Sequence, residues 1–121
     1  MNNLKKILIV DDSILIHTLL KKICGLGYEF EDASNSIEAL TKFNEFKPDL
    51  VFLDIIMEKE YAGIEFLEKI KDIPHNSKIV MLTSIADQSK IVTRCVDLGA
   101  DEYLSKPFKS QEITKVLDTY L

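Results

Sequence analysis

Glycine and proline are scarce in this chain, with four glycines and three prolines among 121 residues. Together with 46% hydrophobic and 29% charged residues, this composition excludes a disordered chain and indicates a compact soluble fold. Internal repeats, low-complexity tracts and linker-like stretches are absent from the sequence. Its length is sufficient to bury a core, so we expect one domain spanning residues 1–121.

Long apolar runs and basic clusters are absent as well. No run approaches the ~18 apolar residues of a membrane span. The segment Met1–Lys6 lacks the apolar region and small-residue cleavage site of a signal peptide. The formal net charge of -5 disfavours general nucleic-acid binding, because phosphate backbones require a basic face. We therefore expect a cytoplasmic protein that binds neither membranes nor nucleic acid directly.

The two cysteines and two histidines form no metal-binding motif. Cys24 and Cys95 lie far apart in helical patterns, and a reducing compartment disfavours a structural disulfide. We expect two semi-buried free thiols. His17 and His75 are isolated in the sequence, and we expect each to be on the surface or half-buried.

Short apolar runs alternate with helical patterns along the chain. Unbroken runs predict strands buried on both faces, because a half-exposed strand would alternate polar and apolar residues. The predicted strands are Ile7–Val10, Tyr28–Ala33, Leu50–Leu53, Ile79–Leu82 and Asp101–Ser105, with the second and the last at the sheet edges. The predicted helices are Ser13–Cys24 (with Leu15, Leu19 and Ile23 at helical spacing), Asn35–Phe46, Gly63–Lys71, Ala86–Leu98 and Ser110–Leu121.

Five strands that alternate with five helices predict an α/β fold, an open and doubly wound parallel sheet covered on both faces. Ligands of such sheets bind beyond the carboxyl ends of the strands, where the strand order reverses. Asp11 and Asp12 follow the first predicted strand, Asp54 follows the third, and Thr83 follows the fourth. We therefore expect these side chains to lie along one edge of the sheet.

Three carboxylates held close together would repel one another, and at least one pKa would rise unless a cation lay among them. Mg²⁺ prefers oxygen ligands and is commonly held by one or two carboxylates together with phosphate oxygens. An Asp-Asp pair by itself is typical of a solvated turn before a helix. With Asp54 at the matching strand end, Asp11 and Asp12 instead indicate a magnesium site.

The same residues suit phosphoryl transfer. A carboxylate such as Asp54 can act as a nucleophile and form an aspartyl phosphate. The transferred group needs charge compensation on its oxygens more than acid–base catalysis. Lys106 offers a compact positive charge beyond the last predicted strand, and the Thr83 hydroxyl can bond a phosphoryl oxygen.

The chain strongly resembles the receiver domain of two-component response regulators, particularly the single-domain chemotaxis type. The matching residues are Asp11-Asp12, Asp54, Thr83-Ser84, Tyr103 and Lys106-Pro107-Phe108, and the likeness covers essentially the whole chain. The resemblance implies a flavodoxin-like strand order of 2-1-3-4-5. It also implies a phosphorylation-driven switch, charged by a sensor histidine kinase, a phosphotransfer protein or a small phosphodonor.

The resemblance gives the acidic residues separate roles. Asp54 would be the phospho-acceptor. Asp12 would bind Mg²⁺ directly, whereas Asp11 would act mainly through water. The backbone carbonyl of Ile56 would complete the protein's share of the coordination.

The resemblance also implies how the signal is passed on. Lys106 would pair with the phosphoryl group, and its peptide bond to Pro107 would be cis. Thr83 would move toward the phosphoryl group, and Tyr103 would swing inward to fill the space left behind. The output surface for a downstream protein would comprise residues 86–98, 101–105 and 110–121, with a homodimer forming through the last helices on phosphorylation. This surface carries a mixed set of charges: Lys90, Arg94, Asp101, Glu102 and Lys109.

The loop after Asp54 departs from the family pattern. Where most receivers have proline, this chain has Glu58, and Gly63 follows the acceptor by nine positions instead of eight. We expect a less rigid loop, because proline restricts the chain. Ile56 and Ile85 place apolar side chains beside the site, and we expect them to shield an aspartyl phosphate from water and prolong its lifetime. Simple loop packing is the alternative for both isoleucines.

Two other functions fit the sequence less well than the switch does. A magnesium-dependent phosphohydrolase of the haloacid dehalogenase type usually has a second Asp two residues after the nucleophile, where this chain has Ile56. A nucleotide or flavin binder of the same architecture is disfavoured because G-x-G-x-x-G and P-loop motifs are absent. The chain could be a free-standing regulator or the receiver of a larger protein.

Overall fold

Strands and helices alternate along the chain. The computed structural model describes residues 4–57, 61–84 and 89–121. The strands are β1 (Lys5–Val10), β2 (Tyr28–Ala33), β3 (Leu50–Asp54), β4 (Lys78–Thr83) and β5 (Glu102–Ser105). The helices are α1 (Ile14–Cys24), α2 (Ser36–Phe46), α3 (Ala62–Ile70), α4 (Ser89–Asp97) and α5 (Ser110–Tyr120).

The five strands form one parallel sheet in the order β2-β1-β3-β4-β5. This order confirms the predicted α/β fold and places β2 and β5 at the edges. The order reverses beside β1, where Val10 pairs with Ala33 on one side and with Leu53 on the other. The carboxyl ends of β1 and β3 therefore lie side by side, which is where such sheets bind ligands.

Successive residues of the inner strands enter two separate cores, because side chains alternate across a sheet. Leu8, Val51 and Ile79 pack with α2, α3 and α4 on one face. Ile7, Phe52 and Val80 belong to the opposite core, which they share with residues of α1 and α5. Helices on both faces explain why these strands read as unbroken apolar runs.

Several helix ends follow the local sequence signals. The Asn35 side chain accepts a hydrogen bond from the Glu38 backbone N–H at 2.8 Å, and Glu38 Oε1 accepts one from the Ser34 N–H at 2.7 Å. These reciprocal bonds satisfy donors that the first turn of α2 would otherwise leave unpaired. Gly25 and Gly99 follow α1 and α4 with φ angles of 85° and 103°, which glycine adopts without a side-chain penalty.

The apolar residues noted at helical spacing in α1 do not mark its buried side. Leu15 is 74% exposed and Leu19 is 39% exposed, whereas Leu20 is fully buried. His17 is 8% exposed, so the expectation of a surface or half-buried histidine was wrong for this residue. Apolar side chains occur on most sides of α1, and their spacing identified a helix without identifying the face that it buries.

The thiols and the other histidine largely agree with expectation. Both cysteines are free and Cys24 is half-buried, as expected, whereas Cys95 is fully buried and not semi-buried. His75 is exposed. Among the described residues, the structure contains no helix with the length and apolar content that crossing a membrane requires.

Candidate functional site

Three carboxylates meet at the carboxyl edge of the sheet. Asp11 and Asp12 directly follow β1, and Asp54 is the last residue of β3. Each contributes an oxygen atom to a group in which these atoms all lie within 4.8 Å of one another. Asp11 and Asp54 are buried, at 0% and 5% exposure, while Asp12 is exposed. The sequence-based expectation that these three side chains converge is therefore confirmed.

Lys106 reaches the same cluster from the turn after β5. Its ammonium Nζ donates a hydrogen bond to Asp11 Oδ2 at 2.7 Å and lies 3.4 Å from Asp54 Oδ2. The Lys106 backbone N–H bonds the Thr83 carbonyl at 2.7 Å, which fixes this turn against the end of β4. The peptide bond between Lys106 and Pro107 is cis, as the resemblance implied.

Negative charge in the cluster exceeds what one ammonium offsets. The pKa of Asp54 is raised to about 6, because burial and the negative charge of Asp11 raise it more than Lys106 lowers it. The Ile56 backbone N–H also favours the ionised form by donating to Asp54 Oδ1 at 3.2 Å. The pKa of Asp54 thus stays raised beside a lysine, mainly because the carboxyl is buried, and a bound cation would lower it.

A divalent cation fits this donor set. Two buried carboxylates and one exposed carboxylate converge, and hard cations such as Mg²⁺ bind carboxylate oxygens while keeping several waters. The exposed side of Asp12 leaves the cluster open to solvent. The structure therefore supports the predicted kind of metal site at this edge.

Gly63 holds the start of α3 against the strand that carries Asp54. The Gly63 N–H donates to the Ile55 carbonyl at 2.9 Å. A Cβ atom at this position would lie 2.6 Å from the Asp54 carbonyl oxygen and 2.7 Å from Ile55 Cα. Only glycine permits this approach without a shift of the backbone behind the site.

The two expected switch residues lie on the neighbouring strands β4 and β5. Thr83 ends β4 and is 9% exposed. Tyr103 belongs to β5, where Met81 is its partner in β4, and its side chain is 49% exposed. Tyr103 is thus exposed in this structure, whereas Thr83 is buried at the end of β4, the strand next to the one that ends in Asp54.

A chain of polar contacts behind Asp11 was missed by the sequence analysis. His17 Nε2 lies 2.6 Å from the Asp11 backbone carbonyl, and His17 Nδ1 lies 2.6 Å from Asp32 Oδ1. Lys21 Nζ donates to Asp32 Oδ2, also at 2.6 Å. Burial raises the pKa of Asp32, but its hydrogen bonds with Lys21 and His17 outweigh this and leave the pKa lowered. The strand order could have revealed these contacts, because it places the end of β2, with Asp32, beside the end of β1.

Several expectations concern residues 58–60 and 85–88, which lie outside the described part of the chain. They include the effect of Glu58 and the longer loop, the shielding by Ile85 and the first residues of the output surface. Ile56 is described and is partly buried against the core beneath α3.

Known sequences place this arrangement among signalling proteins. The family profile of the response regulator receiver domain matches residues 7–118. The chemotaxis protein CheY of Halobacterium salinarum is 36% identical over 118 residues, covering 97% of both chains. The probable transcriptional regulator ycf27 of Cyanophora paradoxa is 42% identical over 114 residues, which cover 92% of this chain but only 46% of the regulator.

Solved structures agree with the sequence matches. A CheY-like receiver domain protein from Methanospirillum hungatei superposes with a TM-score of 0.87 at 31% identity, covering 97% of this chain and 93% of the other. The chemotaxis response regulator CheY4 of Vibrio cholerae gives a TM-score of 0.86 at 30% identity, with 98% and 100% of the two chains covered.

Proposed function

The chain belongs to the response regulator receiver domain family, and from this premise we propose that Asp54 is its phospho-acceptor. Proteins of this family accept phosphoryl groups in two-component signalling. One observation supports Asp54 above all: a buried carboxylate at the end of a central strand has Lys106 at 3.4 Å and two further carboxylates beside it. This is the surrounding that a negatively charged phosphoryl group and its counter-ion need.

The proposed reaction transfers a phosphoryl group from a phosphohistidine. A carboxylate oxygen of Asp54 forms a bond to phosphorus while the bond from phosphorus to the imidazole nitrogen breaks, and that nitrogen keeps the electron pair. Asp54 must be ionised to attack, and a pKa of about 6 leaves it mostly ionised at pH 7.5. Lys106 then offsets charge on the phosphoryl oxygens.

The acidic residues are proposed as the magnesium site. Asp12 and Asp54 would hold the cation directly, Asp11 would act mainly through water, and the Ile56 carbonyl would complete the set. Bound Mg²⁺ would neutralise charge on the acceptor and on the incoming phosphoryl group. Lys106 contacts both Asp11 and Asp54 and helps to hold the two carboxylates in place.

Thr83 and Tyr103 are proposed as the switch. The Thr83 hydroxyl would bond a phosphoryl oxygen, and the exposed Tyr103 ring would move inward, which changes the surface formed by residues 86–98, 101–105 and 110–121. Phosphorylation adds charge and hydrogen-bond acceptors and thereby biases an equilibrium between two conformations. The changed surface would bind a downstream protein or a second copy of the chain.

The proposed function also implies a domain extent, a phosphodonor and a cellular location. We propose one receiver domain over residues 1–121 that catalyses only its own phosphoryl transfer and dephosphorylation. Its phosphodonor would be a sensor histidine kinase or a phosphotransfer protein. Two free thiols are in keeping with a reducing compartment, and we therefore propose the cytosol.

The decisive experiment is phosphorylation of the isolated chain by acetyl phosphate. With Mg²⁺ present, mass spectrometry should show one added phosphoryl group on the wild type and none on Asp54→Asn. A matched control is Asp72→Asn, which changes an exposed carboxylate in the turn after α3 and should still be phosphorylated. A modified Asp54→Asn protein, or a wild type that stays unmodified with both acetyl phosphate and a phosphorylated histidine protein, would refute the assignment.

A further inference from the structure

His17 makes two short contacts with groups that can only accept hydrogen bonds. One is the Asp11 backbone carbonyl, at 2.6 Å from Nε2. The other is the Asp32 carboxylate, at 2.6 Å from Nδ1. A backbone carbonyl carries no proton, so Nε2–H donates to it, while Nδ1 lies against the carboxylate. Charge-assisted bonds of this length are among the strong ones in proteins.

The contact with Asp11 is buried and close to the acidic cluster. His17 is 8% exposed, and Asp11 is fully buried. The Asp11 side chain is itself tied on both oxygens, with Oδ1 accepting from the Ser13 N–H at 2.9 Å and Oδ2 accepting from Lys106 at 2.7 Å. The Asp11 N–H bonds the Ala33 carbonyl at 3.0 Å. His17 therefore fixes the main-chain carbonyl, from which the chain continues into Asp12.

Asp32, the second partner of His17, belongs to β2 and is itself held by Lys21. Asp32 lies at the end of β2, and Lys21 holds its other carboxylate oxygen from one turn further along α1. These contacts fix the imidazole ring in one orientation, as partners of metal-binding groups commonly do. The ring thus links α1, the end of β2 and the acidic turn after β1.

We propose that His17 is a positioning residue that holds the Asp11 carbonyl, and with it the Asp11–Asp12 turn, in the conformation that binds a divalent cation. The proposal rests on the proposed function, since it assigns Asp11 and Asp12 to the cation. It differs from a purely stabilising role in one respect: loss of the bond to Asp11 should weaken Mg²⁺ binding more than loss of the contact with Asp32.

Two substitutions separate the two bonds. In His17→Gln, the side-chain amide nitrogen takes roughly the place of Nε2 and can donate to the Asp11 carbonyl. In His17→Asn, the amide takes roughly the place of Nδ1 and can reach Asp32 only. His17→Leu removes both contacts. His75→Leu is the matched control, because it makes the same change at an exposed histidine that accepts from the Ser77 N–H in the segment between α3 and β4.

Magnesium affinity of the unphosphorylated protein, measured by titration calorimetry, is the first readout. We expect His17→Asn and His17→Leu to raise the Mg²⁺ dissociation constant by about tenfold, the lower end of the effect of losing a group that orients a metal ligand. His17→Gln and His75→Leu should stay close to the wild type. Equal weakening by His17→Gln and His17→Asn, or weakening by neither, would overturn the proposal.

Amide hydrogen exchange in the metal-free protein is the second readout. The Ser13 N–H should exchange about tenfold faster in His17→Asn than in His17→Gln, because its acceptor Asp11 is held less firmly. Equal exchange in both variants would refute the positioning role even if Mg²⁺ affinity fell. A wild type without Mg²⁺ binding would refute the proposed metal site alone, and the exchange rates would still decide the role of His17. If His17→Leu fails to fold, the comparison of His17→Gln with His17→Asn remains.

Discussion

Replacing Asp54 with asparagine should stabilise the protein at pH 7.5 in the absence of Mg²⁺. The folded chain holds the Asp54 proton more tightly than the unfolded chain, since burial and the charge of Asp11 raise its pKa from 3.8 to about 6. As pH rises from about 4 to above 6, the unfolded state releases this proton first, and the free energy of unfolding falls. The amide side chain of the Asp54→Asn variant carries no charge and avoids this loss.

The shift in the pKa of Asp54 determines how much stability Asp54→Asn should gain. A change from 3.8 to about 6 corresponds to roughly 3 kcal/mol, at about 1.4 kcal/mol for each pKa unit. Because Asp54 is only 5% exposed, solvent screens little of this cost. Lys106 keeps its 2.7 Å bond to Asp11 in the variant, so the substitution leaves no buried ammonium unpaired. For a chain of this length, roughly 3 kcal/mol corresponds to a rise of about 10 °C in Tm.

Urea denaturation of both proteins at pH 4 and pH 7.5 would measure this gain. We expect it to be largest at pH 7.5 and to shrink toward pH 4, where Asp54 is protonated in the wild type. Added Mg²⁺ should narrow the difference at pH 7.5, because the wild type binds it better. Asp72→Asn is the control, since this exposed carboxylate should produce no comparable change. A variant less stable than the wild type at pH 7.5, or a gain independent of pH, would refute the electrostatic account.

Three further predictions test local features of the fold. Gly63→Ala should lower the free energy of unfolding by about 2 kcal/mol in urea denaturation and weaken Mg²⁺ binding, because the new Cβ would lie 2.6 Å from a backbone oxygen. Gly27→Ala is the control, since the space around Gly27 is open and neither effect is expected. Asn35→Ala should cost about 1 kcal/mol in the same assay, since α2 loses its N-cap acceptor, and an unchanged midpoint would contradict the capping role. Burial raises the pKa of both cysteines to about 11, so a disulfide reagent at pH 8 should modify them slowly in the native protein and rapidly in urea; fast native labelling would count against their burial.

The sheet could be predicted because the residue pattern of each strand depends on whether its two faces are buried. The run Leu50–Leu53 has no polar residue, and only a strand covered on both faces accommodates that. The acidic site followed from the same logic, since the carboxyl ends of parallel strands meet at one edge. Family resemblance added the strand order, which sequence alone left open.

Features that depend on contacts between distant segments could not be predicted in the same way. In α1, Leu15 and Leu20 are equally apolar, and the packing of α5 and the sheet decides which one is buried. The bond between His17 and Asp32 joins a helix to a neighbouring strand end. Neither residue has a local pattern that reveals this partner. The fold must be known before such a pair becomes visible.

The ion pair between Lys106 and Asp11 joins residues 95 positions apart. A nascent chain emerging from the ribosome can therefore present its first acidic residues long before it has the lysine that sits between them. Until β5 and the turn beyond it have been synthesised and docked, the Asp54 carboxylate has no Lys106 ammonium beside it. If Asp54 is the phospho-acceptor as proposed, the chain completes its acceptor site only late in biosynthesis.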